Sequence, residues 1–402
     1  MTQPKKIAFL LHSLEGGGLQ RVVINLLKLL VKREDIVLDL VVACATGPYL
    51  EQVPAGVRVI DLDTPIEFRS KSLIRLVPSI VHYLRQEKPD FLLSHLPYVN
   101  LLTVIAKAVA GIPVYLVLVE HTLLFPKMIL SESSPAKIEK KLLLNNQNQW
   151  QLLSTLMPIM MRWLYPQADA VVTVSRGMAR ELETDLKLKP NSVQVIYNPV
   201  IDESLLLKSN SLLDHPWFQP NQPPVLLAVG RLAVQKDYPT LLHAFARFRE
   251  QRLVRLLILG DGELRSQLEA LVHELGLEAD VLLPGFAQNP YAYMSRAAAL
   301  VLSSVWETLS MVLVEAMACG CQVISTECPH GPDEVLEQGK YGWLVPVGDV
   351  PALAAAMQQA LDSPRNPDDL RRRAQEFGIE QAVLAYLKIL GLNNAQKGSN
   401  CR

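Results

Sequence analysis

The feature that most constrains this chain is an alternation of short apolar runs with longer stretches of helical periodicity, and it occurs twice. In the first half the runs fall at 7–11, 37–44, 57–62, 91–95, 114–120, 171–175 and 193–197. Helices are expected after residue 18, where Val22, Val23, Leu26, Leu27 and Leu30 share a face, and at 73–86, 100–110 and 177–185. The runs are apolar throughout instead of alternating with polar residues. Such strands are buried on both faces, which demands a parallel sheet covered by helices on each side. In the second half strands are expected at 225–229, 255–259, 281–283, 300–303 and 322–325, with helices at 239–250, 263–275, 291–297, 311–318 and 333–338. Between the halves, 201–224 carries Asp214-His215-Pro216 and Pro220-Asn221-Gln222-Pro223-Pro224 and reads as a linker. The expected class is α/β: two similar Rossmann-like domains, 1–200 and 225–378, whose strand carboxyl ends border a cleft, the place where sites form.

Composition removes several functions. Half of the 402 residues are apolar and the net charge is −1, which argues against a nucleic-acid partner. The five cysteines are odd in number and unclustered, and Cys319-Gly320-Cys321 has the wrong spacing for zinc. They are expected to be reduced thiols of a cytoplasmic protein. The apolar run after Lys6 is broken at once by His12 and Glu15, too short for a signal peptide or a spanning helix. Residues 123–165 break the alternation. Leu156–Tyr165 reads as a buried helix, and 125–149, with its lysines, keeps open a peripheral contact with the inner face of the cytoplasmic membrane.

The chemistry-bearing stretch runs from Val305 to Gly320. Glu307 falls in a strand-to-helix loop and Glu315 in the helix that follows. Ser310 is expected to cap that helix and Gly320 to stop it. The N–H groups of a helix start suit a phosphate. A carboxylate on each side cannot bind phosphate, but accepts hydrogen bonds from hydroxyls, so the fitting ligand is a phosphate flanked by sugars. Gly230-Arg231-Leu232-Ala233-Val234-Gln235-Lys236-Asp237 ends the first strand of the second half, where Arg231 and Lys236 together would make a diphosphate site. Gly260-Asp261-Gly262 and Gly285-Phe286 end the next two strands, and Phe286 could abut a base. In the first half Gly16-Gly17-Gly18 between strand and helix either lets backbone approach an anion or makes a plain tight turn. His121, just after a strand, either meets a substrate hydroxyl or phosphate or is satisfied by backbone.

Together these pieces resemble the retaining glycosyltransferases of family 4, which have the GT-B fold. The likeness rests on Gly16-Gly17-Gly18, Gly230-Arg231-Leu232, Gln235-Lys236-Asp237, Leu259-Gly260-Asp261-Gly262, Pro284-Gly285-Phe286, and Glu307 and Glu315 with seven residues between. Cys328-Pro329-His330-Gly331-Pro332-Asp333-Glu334 resembles a loop of members that use UDP-sugars. The resemblance implies a nucleotide-sugar donor and a glycan or lipid-linked acceptor. Arg231 and Lys236 would hold the diphosphate, and Glu315 the ribose. Glu307 and His121 would touch the transferred sugar. Backbone at Leu309, Ser310 and Met311 would meet the phosphate, with Gly17 and Gly18 facing the same anion. It also implies that the segment 379–402 returns a helix to the first domain before a tail. Asp61-Leu62-Asp63 is not placed for a metal at the diphosphate, so no metal or other cofactor is expected. Two other readings remain: a nucleotide-sugar epimerase or hydrolase of the same fold, and a non-catalytic donor-binding partner subunit.

Overall fold

The structure, a computed structural model, describes residues 3–15, 17–64, 75–122 and 147–392, with side chains from 156 onward in the helix that begins at Gln147. It forms two compact units. The first holds the chain up to Pro199 together with the segment from Ile379, and the second holds Val200–Gly378.

Among the described residues the first unit is built on seven strands: β1 Lys5–Leu11, β2 Ile36–Val42, β3 Val57–Asp61, β4 Phe91–His95, β5 Tyr115–Glu120, β6 Ala170–Thr173 and β7 Val193–Val195. All pair in parallel in the order β3-β2-β1-β4-β5-β6-β7. The helices are α1 Gly18–Leu30, α2 Leu76–Glu87, α3 Pro97–Ala110, α4 Gln147–Leu164 and α5 Arg176–Leu186. Leu10, Leu92, Leu116 and Leu118 of the strands pack with Leu84, Val104, Met161 and Tyr165 of the surrounding segments into one core. The closing helix, Ile379–Ile389, packs on α1.

The second unit has six parallel strands: β8 Val225–Val229, β9 Arg255–Leu259, β10 Val281–Gly285, β11 Ala299–Leu302, β12 Val323–Thr326 and β13 Trp343–Val345, in the order β10-β9-β8-β11-β12-β13. Its helices are α6 Glu203–Ser209, α7 Tyr238–Arg249, α8 Arg265–Glu274, α9 Pro290–Met294, α10 Met311–Ala318, α11 Pro332–Val335, α12 Val350–Asp362 and α13 Pro367–Ala374. Leu226, Ala228, Leu256, Ile258, Val301 and Ile324 form its core with Leu241, Phe245, Phe248, Leu353 and Met357. Two doubly wound parallel sheets are the architecture the alternation demands.

Three details differ from expectation. The linker 201–224 contains a helix, α6, whose first turn is capped by the Asp202 carboxylate accepting from the Leu205 N–H at 2.8 Å. The edge strand β13 has only three residues, too few to show a period. Leu156–Tyr165 does not read out as a buried helix. It lies in α4 and the turn after it, buries Met161 and Tyr165, and leaves Leu156, Ile159, Met160 and Trp163 exposed, Trp163 at 71%. These four recur at the spacing of one helical face, so the apolar surface is wider than the side that packs. Most of 125–149, where membrane contact was expected, lies outside the described residues.

Candidate active site

Each sheet reverses its strand order once, between β1 and β4 in the first unit and between β8 and β11 in the second. At such a point the loops leaving neighbouring strands diverge and open a crevice at the carboxyl edge. In the second unit β8 and β11 lie side by side, Ala299 opposite Leu226 and Leu300 opposite Leu227. Lys236 follows the first strand and Glu307 the second, and the structure brings them together. Lys236 Nζ donates to Glu307 Oε1 at 2.6 Å, and Ser304 Oγ donates to the same oxygen at 2.7 Å. Both partners are largely buried, with side-chain exposures of 16% and 8%.

The two loops are stitched to each other. Gln235 Nε2 donates to the Trp306 carbonyl at 2.9 Å, Ser303 Oγ to the Lys236 carbonyl at 2.6 Å, and the Val305 N–H to the Gln235 carbonyl at 2.9 Å. Thr326 Oγ1 holds the Ser304 carbonyl at 2.5 Å, and the Pro329 carbonyl accepts from the Glu307 N–H at 3.2 Å. An amine and a carboxylate held this way are pre-positioned, which is what acting on developing charge requires. The glycine turn after β9 serves the same packing. A Cβ on Gly260 would sit 1.9 Å from the Gly230 carbonyl oxygen, so only glycine lets the two loops touch.

Glu315 lies in the fifth position of α10, 6% exposed, and accepts from Tyr291 Oη at 3.3 Å. Gly320 stops that helix as expected: its N–H bonds the Met317 carbonyl and the Cys321 N–H bonds the Ala316 carbonyl, a Schellman pair. Ser310 departs from expectation. It precedes the helix with left-handed φ of 59° and ψ of 59°, its hydroxyl makes no capping bond, and its Oγ is buried without a partner among the described residues. A capping serine has extended backbone, and this one does not. Leu309 beside it is fully buried, and the loop at Gly331 presses on it so closely that a Cβ there would lie 2.8 Å from Leu309 backbone. Met311 opens α10, whose first-turn N–H groups lie at the carboxyl edge of the sheet.

Arg231 is not part of the buried pair. It is 74% exposed at its side chain and bonds Glu263 at 3.0 Å. Phe286 follows β10 and is 81% exposed, an unburied aromatic at a strand's carboxyl end. In the first unit Gly17 is extended with φ of 164° and Gly18 begins α1, while Gly16 lies outside the described residues.

His121 follows β5 and is buried, with Nε2 3.0 Å from Nδ1 of His95 at the end of β4. Burial pushes the His121 pKa down to about 4, opposed by Asn198, and holds that of His95 well below its ordinary value. Glu120, fully buried at the end of β5, accepts from Asn100 Nδ2 at 2.8 Å and from the Tyr165 hydroxyl. Burial raises its pKa to about 7 against those two hydrogen bonds. The sequence reading named His121 but not His95 or Glu120. The available signal was a polar residue closing an apolar strand, in Ser94-His95 and in Glu120-His121.

Comparison with known proteins bears on the fold. A profile described as "Glycosyltransferase Family 4" matches residues 16–204, and one described as "Glycosyl transferases group 1" matches 212–377. Each profile covers less than half of the chain, the chain spans about half to two thirds of the length of the first curated relatives it matches, and what is shown is the GT-B fold. A Campylobacter jejuni protein, N-acetylgalactosamine-N,N'-diacetylbacillosaminyl-diphospho-undecaprenol 4-alpha-N-acetylgalactosaminyltransferase, is 32% identical over 237 residues, covering 58% of this chain and 60% of its own length. A second protein of that organism, GalNAc-alpha-(1->4)-GalNAc-alpha-(1->3)-diNAcBac-PP-undecaprenol alpha-1,4-N-acetyl-D-galactosaminyltransferase, is 25% identical over 398 residues, 96% of this chain and 98% of its own. The crystal structure of Anabaena HepE in complex with UDP-glucose superimposes with a TM-score of 0.69 at 20% identity, over 96% of this chain and 99% of that one.

Proposed function

We propose that this protein is a retaining glycosyltransferase that moves a hexose from a UDP-sugar to a lipid-linked glycan acceptor. The observation that carries the reading is the buried Lys236–Glu307 pair at the switch point of the second unit, with Glu315 in the helix that follows. In this reading the diphosphate takes the Lys236 ammonium and the Arg231 guanidinium, Glu315 accepts from the ribose hydroxyls, and Glu307 Oε2 accepts from the transferred sugar. Leu309, Ser310 and Met311 supply backbone to the phosphate and Phe286 meets the base; in the first unit the reading assigns substrate contact to Gly17, Gly18 and His121. The anomeric carbon–oxygen bond to the phosphate breaks while the acceptor oxygen bonds the same face of the sugar. The acceptor proton passes to the departing phosphate oxygen. The protein's contribution is position and charge stabilisation of the leaving group. The cations do the work a metal would do elsewhere, so the reading requires activity in EDTA.

The acceptor assignment draws on the two Campylobacter relatives, whose names specify undecaprenol-linked substrates. No helix among the described residues is long and apolar enough to cross a membrane. The exposed stripe of Leu156, Ile159, Met160 and Trp163 is the surface that meets the bilayer in this reading. Residues 123–164 add a local basic excess suited to anionic lipid: Lys127, Lys137, Lys140, Lys141 and Arg162 against Glu132 and Glu139.

The test is a transfer assay with UDP-hexoses and an undecaprenyl-diphosphate-linked sugar, with the anomer of the product read by NMR. An α-linked product from an α-linked donor supports the proposal. Inversion contradicts it, and consumption of donor with no acceptor present favours the epimerase or hydrolase reading.

A further inference from the structure

Two buried imidazoles of the first unit have no assigned relation to each other in the proposed chemistry. His95 closes β4 and His121 follows β5, strands paired so that His95 lies opposite Val119. Nδ1 of His95 is 3.0 Å from Nε2 of His121. The ring centroids are 5.2 Å apart and the planes differ by 28°. A centroid separation so much longer than the N···N distance, with planes so nearly parallel, means that the rings meet edge to edge. That is the geometry of an N–H···N hydrogen bond, not of a face-to-face stack. His95 is 0% exposed and His121 9%, and Phe9 lies almost parallel to His95 at 6.2 Å. Among the described residues no group bonds the outer nitrogens, Nε2 of His95 and Nδ1 of His121.

Counting hydrogens constrains the pair. Two neutral imidazoles carry one N–H each. One of these occupies the N···N line, so the other sits on an outer nitrogen. If His95 supplies the bridge, His121 carries its hydrogen at Nδ1 and donates outward. If His121 supplies it, its Nδ1 is bare and accepts. Burial keeps both rings neutral, and a charge on His121 further opposes one on His95. The second arrangement would place an N–H on Nε2 of His95, on a ring that is 0% exposed and with no acceptor among the described residues, whereas the first places it on Nδ1 of the 9% exposed His121, so burial selects the first. The neighbouring Glu120 is engaged by Asn100 and Tyr165 and does not compete for the bridge.

We propose that His95 is a positioning residue: its Nδ1–H, donated to Nε2 of His121, holds that ring in one plane and in the Nδ1–H tautomer, so that His121 offers a hydrogen to a substrate oxygen. This rests on the reading of His121 as a substrate contact and adds which partner sets its chemical character.

Long-range 1H–15N correlation spectra of the full chain labelled at histidine test it directly. At pH 7.5 the expected result is a single His121 tautomer with a protonated Nδ1 and a bare Nε2. A mixture, or hydrogen on Nε2, overturns the proposal without any variant. His95→Phe should shift the His121 tautomer and lower kcat roughly tenfold, the lower scale for loss of a partner that orients a functional histidine, with donor KM within about twofold. His95→Asn, whose amide N–H can reach the place of Nδ1, should restore most of it. An unchanged tautomer and an unchanged kcat in His95→Phe would overturn the idea. His121→Ala separates the two layers: full transfer activity in that variant refutes the substrate role of His121, while the spectra still decide whether His95 sets the tautomer.

Discussion

Replacing Lys236 by methionine removes one charge of the buried pair while keeping most of the stem. Glu307 then keeps its Ser304 hydrogen bond but loses its counter-ion at 8% side-chain exposure. Removing one partner of a buried pair costs about 3–5 kcal/mol. Because Lys236 retains 16% exposure, water reaches the site and the lower end applies, about 3 kcal/mol. For a unit of this size that is a fall of roughly 6–12 °C in the unfolding temperature. Glu307→Gln alone should cost only about 1 kcal/mol, because the lysine stem can carry its ammonium to water. The double variant Lys236→Met/Glu307→Gln leaves neither charge of the pair and should lie within about 1 kcal/mol of the parent, a coupling of at least about 3 kcal/mol. Calorimetry of all four proteins without ligand reads this cycle. Simple additivity, with the double variant the least stable, would refute the claim that the two charges hold each other in the donor-free protein.

Three further outcomes follow from the same reasoning. Glu120 has a folded pKa of about 7 against 4.5 for a free carboxyl, so the native state keeps its proton longer than the unfolded chain does. Stability is therefore lost as pH rises from 4.5 to 7, to about 3 kcal/mol, and Glu120→Gln should raise the melting temperature at pH 8 but not at pH 4. Ser310→Gly should stabilise by about 1 kcal/mol in urea denaturation, since it relieves a left-handed non-glycine residue and removes a buried hydroxyl without a partner. Ile159→Glu/Trp163→Glu should abolish co-sedimentation with phosphatidylglycerol vesicles and leave UDP binding intact. Retained sedimentation would remove the α4 stripe from the membrane.

The parallel sheets were legible because uninterrupted apolar strands such as Leu256-Leu257-Ile258-Leu259 have few other destinations. Glu307 and Lys236 stood out as candidates because each follows a buried strand, although only the fold shows that those strands are neighbours and that the two side chains pair. What the sequence hid has local causes. Ser310 has the chemistry of a cap, but the approach of the Gly331 loop on Leu309 accompanies a backbone that cannot use it. Helix α4 has an apolar run whose periodicity does not say how much of the surface is packed. Arg231 and Lys236 read as equals, yet one is exposed against Glu263 and the other buried against Glu307. His95 escaped notice because its partner is distant in sequence and adjacent only across β4 and β5.

The central claim, that the second unit binds a UDP-sugar through Lys236, is tested most directly by thermal unfolding with UDP, GDP and ADP, each repeated in EDTA and in Lys236→Met. A ligand at a hundred times its dissociation constant adds about 2.7 kcal/mol to stability. The account predicts a shift selective for UDP that survives EDTA and is lost or sharply reduced in Lys236→Met. A shift that vanishes in EDTA, or one of equal size in the variant, would contradict it.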